Sequence, residues 1–286
     1  TGVLRALRLD TAEKLLPASS APPSVPPSLA PTVSERARVF FFRGCLGHEF
    51  LGHVTAATIE VLRANGCRVM TPREQVCCGA IHEHAGDAET ARSLARKNID
   101  AFRGREPIIS NSGGCGATLK EYAVLLADDP DYAEAARDFV ARVRDLSEFL
   151  AELGPAPMKG IIPPVSATYQ DSCHLSLLQG VYEEPRAVLR AVPGVEFREM
   201  QPREFCCGSG GLWGLKHPEL SERLRQVKLE DAAETGASVI VTGNPGCHMH
   251  LDGGAMPVVH IAEVLAAAYR GGALEAAEGP ERKVGV

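Results

Sequence analysis

Eight of the nine cysteines in this 286-residue chain fall into two copies of one pattern. In the first copy 31 residues separate Cys45 from the vicinal pair Cys77-Cys78, and 36 more lead to Cys115. In the second, 32 residues separate Cys173 from Cys206-Cys207, and 39 more lead to Cys247. Equivalent cysteines are offset by 128, 129 and 132 residues, and their flanks agree: "RGC" with "DSC", "CCGA" with "CCGS", "NSGGCG" with "NPGCH". A near-constant offset of this size marks a duplicated domain. A vicinal pair is also a poor structural choice, since its two side chains bridge each other badly and in a strand point to opposite faces.

Around the cysteines each copy alternates short apolar runs with stretches of helical spacing. "ARVFFFRGC", "CRVMTP" and "EPIISNSGG" read as buried strands in the first copy; "VSATYQDSC", "VEFREM" and "ASVIVTGNPG" read so in the second. "HEFLGHVTAATIEVLRANG" and "HLSLLQGVYEEPRAVLRAV" have helical periodicity between them. Such alternation predicts an α/β fold of two pseudo-repeated domains, each a parallel sheet covered by helices. Ligands in such sheets bind beyond the carboxyl ends of the strands, where the cysteines stand.

Two breaks divide the chain. Residues 17–31, "PASSAPPSVPPSLAP", carry six prolines and no charge, which reads as an extended, semi-rigid tether of roughly 45 Å at about 3.1 Å per residue. A short amphipathic segment, Val3–Leu16, precedes it. The second break is "LGPAPMKGIIPPVS" at 153–166. The expected organisation is therefore a tether over 1–35, a first domain over 36–152, a second over 165–275 and a tail over 276–286.

Four cysteines on three strand-to-helix loops would meet at one point in each domain. Four thiolates are the ligand set of a 4Fe–4S cluster or of a structural zinc ion. No complete CxxC knuckle of the kind zinc sites favour is present, and a vicinal pair can reach two different iron atoms. Neighbouring glycines at 79, 113, 114, 116, 208, 210, 211 and 246 allow backbone amides to approach sulfur closely. Iron–sulfur leads; unliganded thiols or disulfides, and then zinc, remain as the other readings. A formal charge of −6 and the absence of a basic patch argue against nucleic acid as a partner. No run approaches the roughly 18 apolar residues that span a bilayer, and no secretory signal opens the chain. In a reducing cytosol, clustered cysteines bind metal or do redox chemistry more often than they cross-link.

The twin "C…CCG…C" pattern resembles the cysteine-rich CCG domains. These occur in heterodisulfide reductase, anaerobic glycerol-3-phosphate dehydrogenase, lactate-utilisation proteins and the iron–sulfur subunit of glycolate oxidase. "CCGA", "NIDAF", "SGGCGATLKEY", "CCGSGG", "HPEL" and "VTGNPGC" are similar to stretches of that last subunit, in the same order, over roughly residues 38–270. The resemblance implies an electron-transfer subunit with one 4Fe–4S cluster per CCG domain at most. Its ligands would be Cys45, Cys77, Cys78 and Cys115, and Cys173, Cys206, Cys207 and Cys247. It also implies an FAD-containing glycolate oxidase subunit as partner, a quinone acceptor, and a cytoplasmic location with peripheral contact at the inner face of the membrane. Glycolate oxidase iron–sulfur subunits usually begin with a ferredoxin-like domain, which is expected upstream of Thr1.

Heterodisulfide reductase offers the alternative of a catalytic thiol or disulfide reductase. There the last cysteine of each motif belongs to a CxxC, and five cysteines hold a non-cubane cluster. Thr118 and His250 occupy the corresponding positions here, which favours an ordinary electron-carrying cluster. A third reading is a structural module held together by zinc.

The remaining candidates are local. His250 reads as a polar residue on the helix after Cys247, with cluster ligation as its alternative. His48, His82, His84 and His174 stand beside motif cysteines, either donating to sulfur or facing solvent. Cys67 has no counterpart and reads as a buried strand cysteine. Trp213 is placed near the second site or in the core. "SGGCG" lacks the following Lys-Ser/Thr of a phosphate loop. No acid–base pair or nucleophile triad stands out, so no catalytic residue is assigned and substrate chemistry is expected on another subunit.

Overall fold

The structure, a computed structural model, describes residues 24–202 and 205–274. Val3–Leu16, the first part of the proline-rich segment and the tail at 276–286 lie outside the described residues. In the first repeat β2 (Ala37–Phe42), β3 (Cys67–Met70), β4 (Ile108–Ser110) and β5 (Val143–Asp145) form a parallel sheet in the order β3-β2-β4-β5. In the second, β6 (Val165–Gln170), β7 (Val195–Phe197), β8 (Val239–Thr242) and β9 (Val258–His260) give the matching order β7-β6-β8-β9, again all parallel. The predicted α/β duplication is the observed architecture.

The helices of the first repeat are α1 (Cys45–Phe50), α2 (Gly52–Ala64), α3 (Ala80–His84), α4 (Ala88–Ala101), α5 (Gly113–Lys120), α6 (Tyr122–Leu125), α7 (Ala133–Arg142) and α8 (Leu146–Leu153). Those of the second are α9 (Cys173–Ser176), α10 (Glu183–Arg190), α11 (Leu212–Lys216), α12 (Pro218–Glu234), α13 (Pro245–Leu251) and α14 (Ile261–Arg270).

Both faces of each sheet are buried, and side-chain alternation sends them into different cores. Val39 and Phe41 of β2 enter a large central core, whereas Phe40 and Phe42 enter an outer one with Phe102, Tyr122 and Phe139. On β8, Val239 and Val241 face the central core and Ile240 an outer cluster. That central core joins the repeats: α2 packs on α14 and α8 on α10, so four helices lie between the two sheets. The Asn65 amide, at the end of α2, donates to the Tyr269 hydroxyl of α14 at 2.8 Å, fixing their register.

Four departures from the sequence reading have local causes. The described end of the proline-rich segment is extended but docked, because β1 (Ser28–Leu29) pairs antiparallel with β3. The helix expected from His48 onward is broken at Leu51 (φ −125°, ψ 51°), separating α1 from α2. The second long helix is broken between α9 and α10, where Gly180 takes a left-handed φ of 68° and Pro185 forces a fresh first turn. Finally, β5 and β9 run straight into α8 and α14, whose helical periodicity hides three-residue strands.

Candidate functional site

Every motif cysteine lies just past the carboxyl end of a strand. Cys45 and Cys173 open the helices after β2 and β6, and Cys115 and Cys247 lie in the first turns after β4 and β8. The vicinal pairs occupy the loops after β3 and β7. Because β2 crosses over to one side of its sheet and β4 to the other, these loops open a crevice at the switch point. The crevices of the two repeats face each other. All eight cysteines line one cavity of about 190 Å³, and Cys67, fully buried in β3, does not.

The glycine of each CCG has a structural reason. Gly79 (φ 94°) and Gly208 (φ 91°) both adopt the left-handed conformation. That turn aims the Gly79 N–H at Cys77 Sγ (3.5 Å) and the Gly208 N–H at Cys206 Sγ (3.4 Å). Buried polar groups grip the rest of each loop. The Asn98 amide accepts from Val76 N (2.9 Å) and donates to Cys77 O (3.0 Å), while the Tyr122 hydroxyl donates to Cys78 O (2.8 Å). In the second repeat Ser221 Oγ donates to Gly208 O (2.8 Å), and Lys228 Nζ donates to Pro202 O (3.2 Å).

The sulfurs share protons. Cys45 and Cys77 Sγ are 3.8 Å apart and Cys207 and Cys247 Sγ are 3.2 Å apart. Hydrogen bonds from Cys45 and Cys78, with help from the Gly79 amide, pull Cys77 down to about 2; Cys206 is pulled equally low by Cys173, Cys207 and Gly208. Cys115 and Cys247 also lie below the usual thiol range, held first by their bonds from Cys78 and Cys207. The donors Cys45, Cys78, Cys173 and Cys207 are pushed up in return. Metal binding at either site would release the protons that the paired sulfurs hold.

Four thiols converging from three loops fit the donor set of a 4Fe–4S cluster. Among the described residues no group of three or more His, Cys, Asp or Glu is gathered tightly enough to hold one ion as it stands.

The histidines divide. His84 and His174 line the cavity from opposite repeats with ring centroids 5.8 Å apart, and His174 Nδ1 lies 3.4 Å from Cys173 Sγ. His82 faces outward, 3.4 Å from Asp87. His48 keeps Nδ1 buried without a hydrogen-bond partner among the described residues. His250 Nε2 lies 3.4 Å from Ser221 Oγ, behind Gly208 rather than on the cavity wall, and Thr118 Oγ1 donates to Gly114 O (3.3 Å). Trp213 is partly exposed and covers Gly210, whose backbone lines the cavity. The glycines of "SGGCG" serve close packing: a Cβ on Gly113 would stand 2.9 Å from Ser172 Oγ of the other repeat. Asn98, Tyr122, Ser112 and Asn244 are site residues that the cysteine pattern alone does not single out.

A family model described as a cysteine-rich domain, CCG, matches residues 39–120 and again 167–252. The chain belongs to the CCG cysteine-rich domain family. Among its relatives is the probable glycolate oxidase iron-sulfur subunit of Bacillus subtilis (strain 168), 38% identical over 281 residues. That match covers 93% of this chain, which spans 63% of the relative's length. Lactate utilization protein A of the same organism is 34% identical over 234 residues, covering 80% of this chain and 98% of the relative. A crystal structure of a hypothetical protein from Helicobacter pylori superposes with a TM-score of 0.61 at 9% identity, covering 93% of this chain and 54% of that one. At that identity the likeness concerns the fold alone.

Proposed function

We propose that this chain is the iron–sulfur electron-transfer subunit of a complex that oxidises glycolate or a related 2-hydroxy acid. Its two sites would be held by Cys45, Cys77, Cys78 and Cys115, and by Cys173, Cys206, Cys207 and Cys247. The observation that carries the reading is the convergence of all eight cysteines on one cavity. Each 4Fe–4S cluster, once bound, would supply reversible one-electron storage. The protein's own part is to bring the sulfurs together, to direct the Gly79 and Gly208 amides at them, and to fasten the CCG turns through Asn98, Tyr122 and Ser221.

In this reading oxidation of the hydroxy acid belongs to an FAD-containing partner, and this chain conducts electrons from it toward a quinone. The names of the two Bacillus relatives support the substrate class. No helix among the described residues is long and apolar enough to cross a membrane, so quinone contact in this reading is peripheral, at the cytoplasmic face. With Thr118 and His250 turned to Gly114 and Ser221, neither site gains a fifth sulfur, and the disulfide-reductase alternative finds no support there.

The test is Cys207→Ser in the complex reconstituted with its flavoprotein. Glycolate should still reduce the flavin at a near-normal rate while electron delivery to quinone collapses. Failure of flavin reduction in an intact complex, or quinone reduction with the cluster demonstrably absent, would contradict the reading.

A further inference from the structure

Asn244 follows β8 and occupies the N-cap of α13, three residues before Cys247. Its counterpart in the first repeat, Ser112, caps its helix in the ordinary way: Ser112 Oγ accepts from Cys115 N at 3.3 Å. The side chain of Asn244 makes no such cap. Its Nδ2 donates instead to Cys247 Sγ at 3.2 Å, and its Oδ1 accepts from Gly114 N at 3.1 Å and from Ser112 Oγ at 3.3 Å. Gly114 N–H can only donate, so the amide oxygen must face it and the NH2 must face sulfur. An N-cap asparagine normally accepts from its own helix. Asn244 forgoes that contact for three bonds directed at the cysteine sites.

The result is one unbroken chain: Cys115 N–H to Ser112 Oγ, Ser112 O–H to Asn244 Oδ1, and Asn244 N–H to Cys247 Sγ. It joins a ligand loop of the first site to a ligand sulfur of the second.

We propose that Asn244 is a positioning residue that links the two cysteine centres and raises the reduction potential of the second through its N–H···S bond to Cys247. The proposal rests on the iron–sulfur reading above. A donor to a ligand sulfur stabilises the electron-rich state, so it favours the reduced cluster. The first centre has no matching side-chain amide donor among the described residues; in its place stands the Ser112 hydroxyl, which Cys115 and Asn244 Oδ1 both engage. The duplicated sites are thereby made unequal, as a directional conduit requires.

The experiment is an EPR-monitored redox titration of the anaerobically purified chain and of its Asn244→Ser and Asn244→Asp variants. Asn244→Ser copies the first repeat, supplying a cap like that of Ser112 while removing the amide donor. Asn244→Asp keeps an acceptor for Gly114 and Ser112 but sets a carboxylate against Cys247. The second centre is identified by its loss in Cys207→Ser, and the first serves as internal control. At a fixed ambient potential the reduced-to-oxidised ratio of the second centre should fall about tenfold in Asn244→Ser, equivalent to about 59 mV for one electron. It should fall further in Asn244→Asp, with the first centre unchanged. Wild-type titration of both centres in both variants would overturn the proposal, as would equal shifts of both. Loss of iron from the second site in Asn244→Ser would overturn it in favour of a purely structural role. Wild-type protein lacking iron and sulfide would instead overturn the iron–sulfur reading, and this proposal with it.

Discussion

Gly113 and Gly243, one from each repeat, are joined by a backbone hydrogen bond from Gly113 N to Gly243 O at 3.1 Å. The bond lies where the third cysteine loop of one repeat meets that of the other. A duplicated α/β domain could bury its two copies against each other anywhere on their helical layers. Here the contact continues from the α2–α14 layer up to the cysteine loops, so the two sets of cysteines share a cavity instead of opening on separate surfaces. Gly113 must lack a side chain for this approach, since a Cβ would also stand 3.2 Å from Leu175 Cβ.

The CCG glycines should tolerate alanine unequally. Both hold φ near +90°, a conformation that typically costs a non-glycine residue about 1–3 kcal/mol. A Cβ on Gly79 meets only ordinary contact, 3.4 Å from Ala91 Cα, whereas on Gly208 it runs into the Ser221 backbone oxygen. Urea denaturation should show Gly208→Ala losing more stability than Gly79→Ala. An equal loss would mean that backbone strain alone is at work.

Arg186 is the other stress point of the second repeat. Its buried guanidinium makes a two-bond fork to Asp171 (3.0 and 2.6 Å) and also contacts Glu199 (3.0 Å). Asp171 stands two residues before Cys173, so the fork anchors the start of that ligand loop. Burial already pushes the Asp171 carboxyl up despite its partner. Arg186→Met should cost about 3–5 kcal/mol by leaving a buried carboxylate unpaired. The double variant with Asp171→Asn should recover part of the loss in the same denaturation experiment. A double variant no better than the single one would show that packing matters more than charge.

Glu263 gives a pH signature at the interface of the repeats. It caps α14 through the His260 N–H (2.7 Å) and faces His53 of α2 at 3.5 Å, and burial pushes its carboxyl up to about 7. A raised carboxyl binds a proton in the folded state that the unfolded chain has released. Its contribution therefore falls as pH rises from about 4.5 to about 7. His260, driven down to about 3 by burial, acts oppositely, losing stability as pH falls below its unfolded value. Subtraction isolates Glu263: Glu263→Gln should gain on wild type by about 1–3 kcal/mol between pH 5 and 7. A pH-independent difference would refute the assignment.

Much of this was legible in the sequence, for a physical reason. Cysteines at strand ends keep their spacing because each crossover must return the chain to the same end of the sheet, so Cys45 through Cys247 exposed both the duplication and the α/β class. Asn244 and Ser112 were hidden, because a polar residue before a helix reads as an ordinary cap until its partners across the repeat boundary are seen. Asn98 and Tyr122 lie 20 or more residues from the sulfurs they support, within stretches whose helical spacing accounts for them locally. The strands β5 and β9 were masked by the helices they enter. Each of those helices opens with a capping box, Asp145 with Glu148 and His260 with Glu263, directly on the last residue of its strand.

In the proposed function the eight cavity cysteines hold iron–sulfur clusters. Its most direct test is iron, acid-labile sulfide and zinc analysis, with an absorption spectrum, on chain purified without oxygen, alongside Cys67→Ala as a control outside the cavity. The account predicts brown protein with iron and sulfide in equal amounts, a broad absorption band that bleaches with dithionite, and the same content in Cys67→Ala. Colourless anaerobic protein carrying stoichiometric zinc would contradict it.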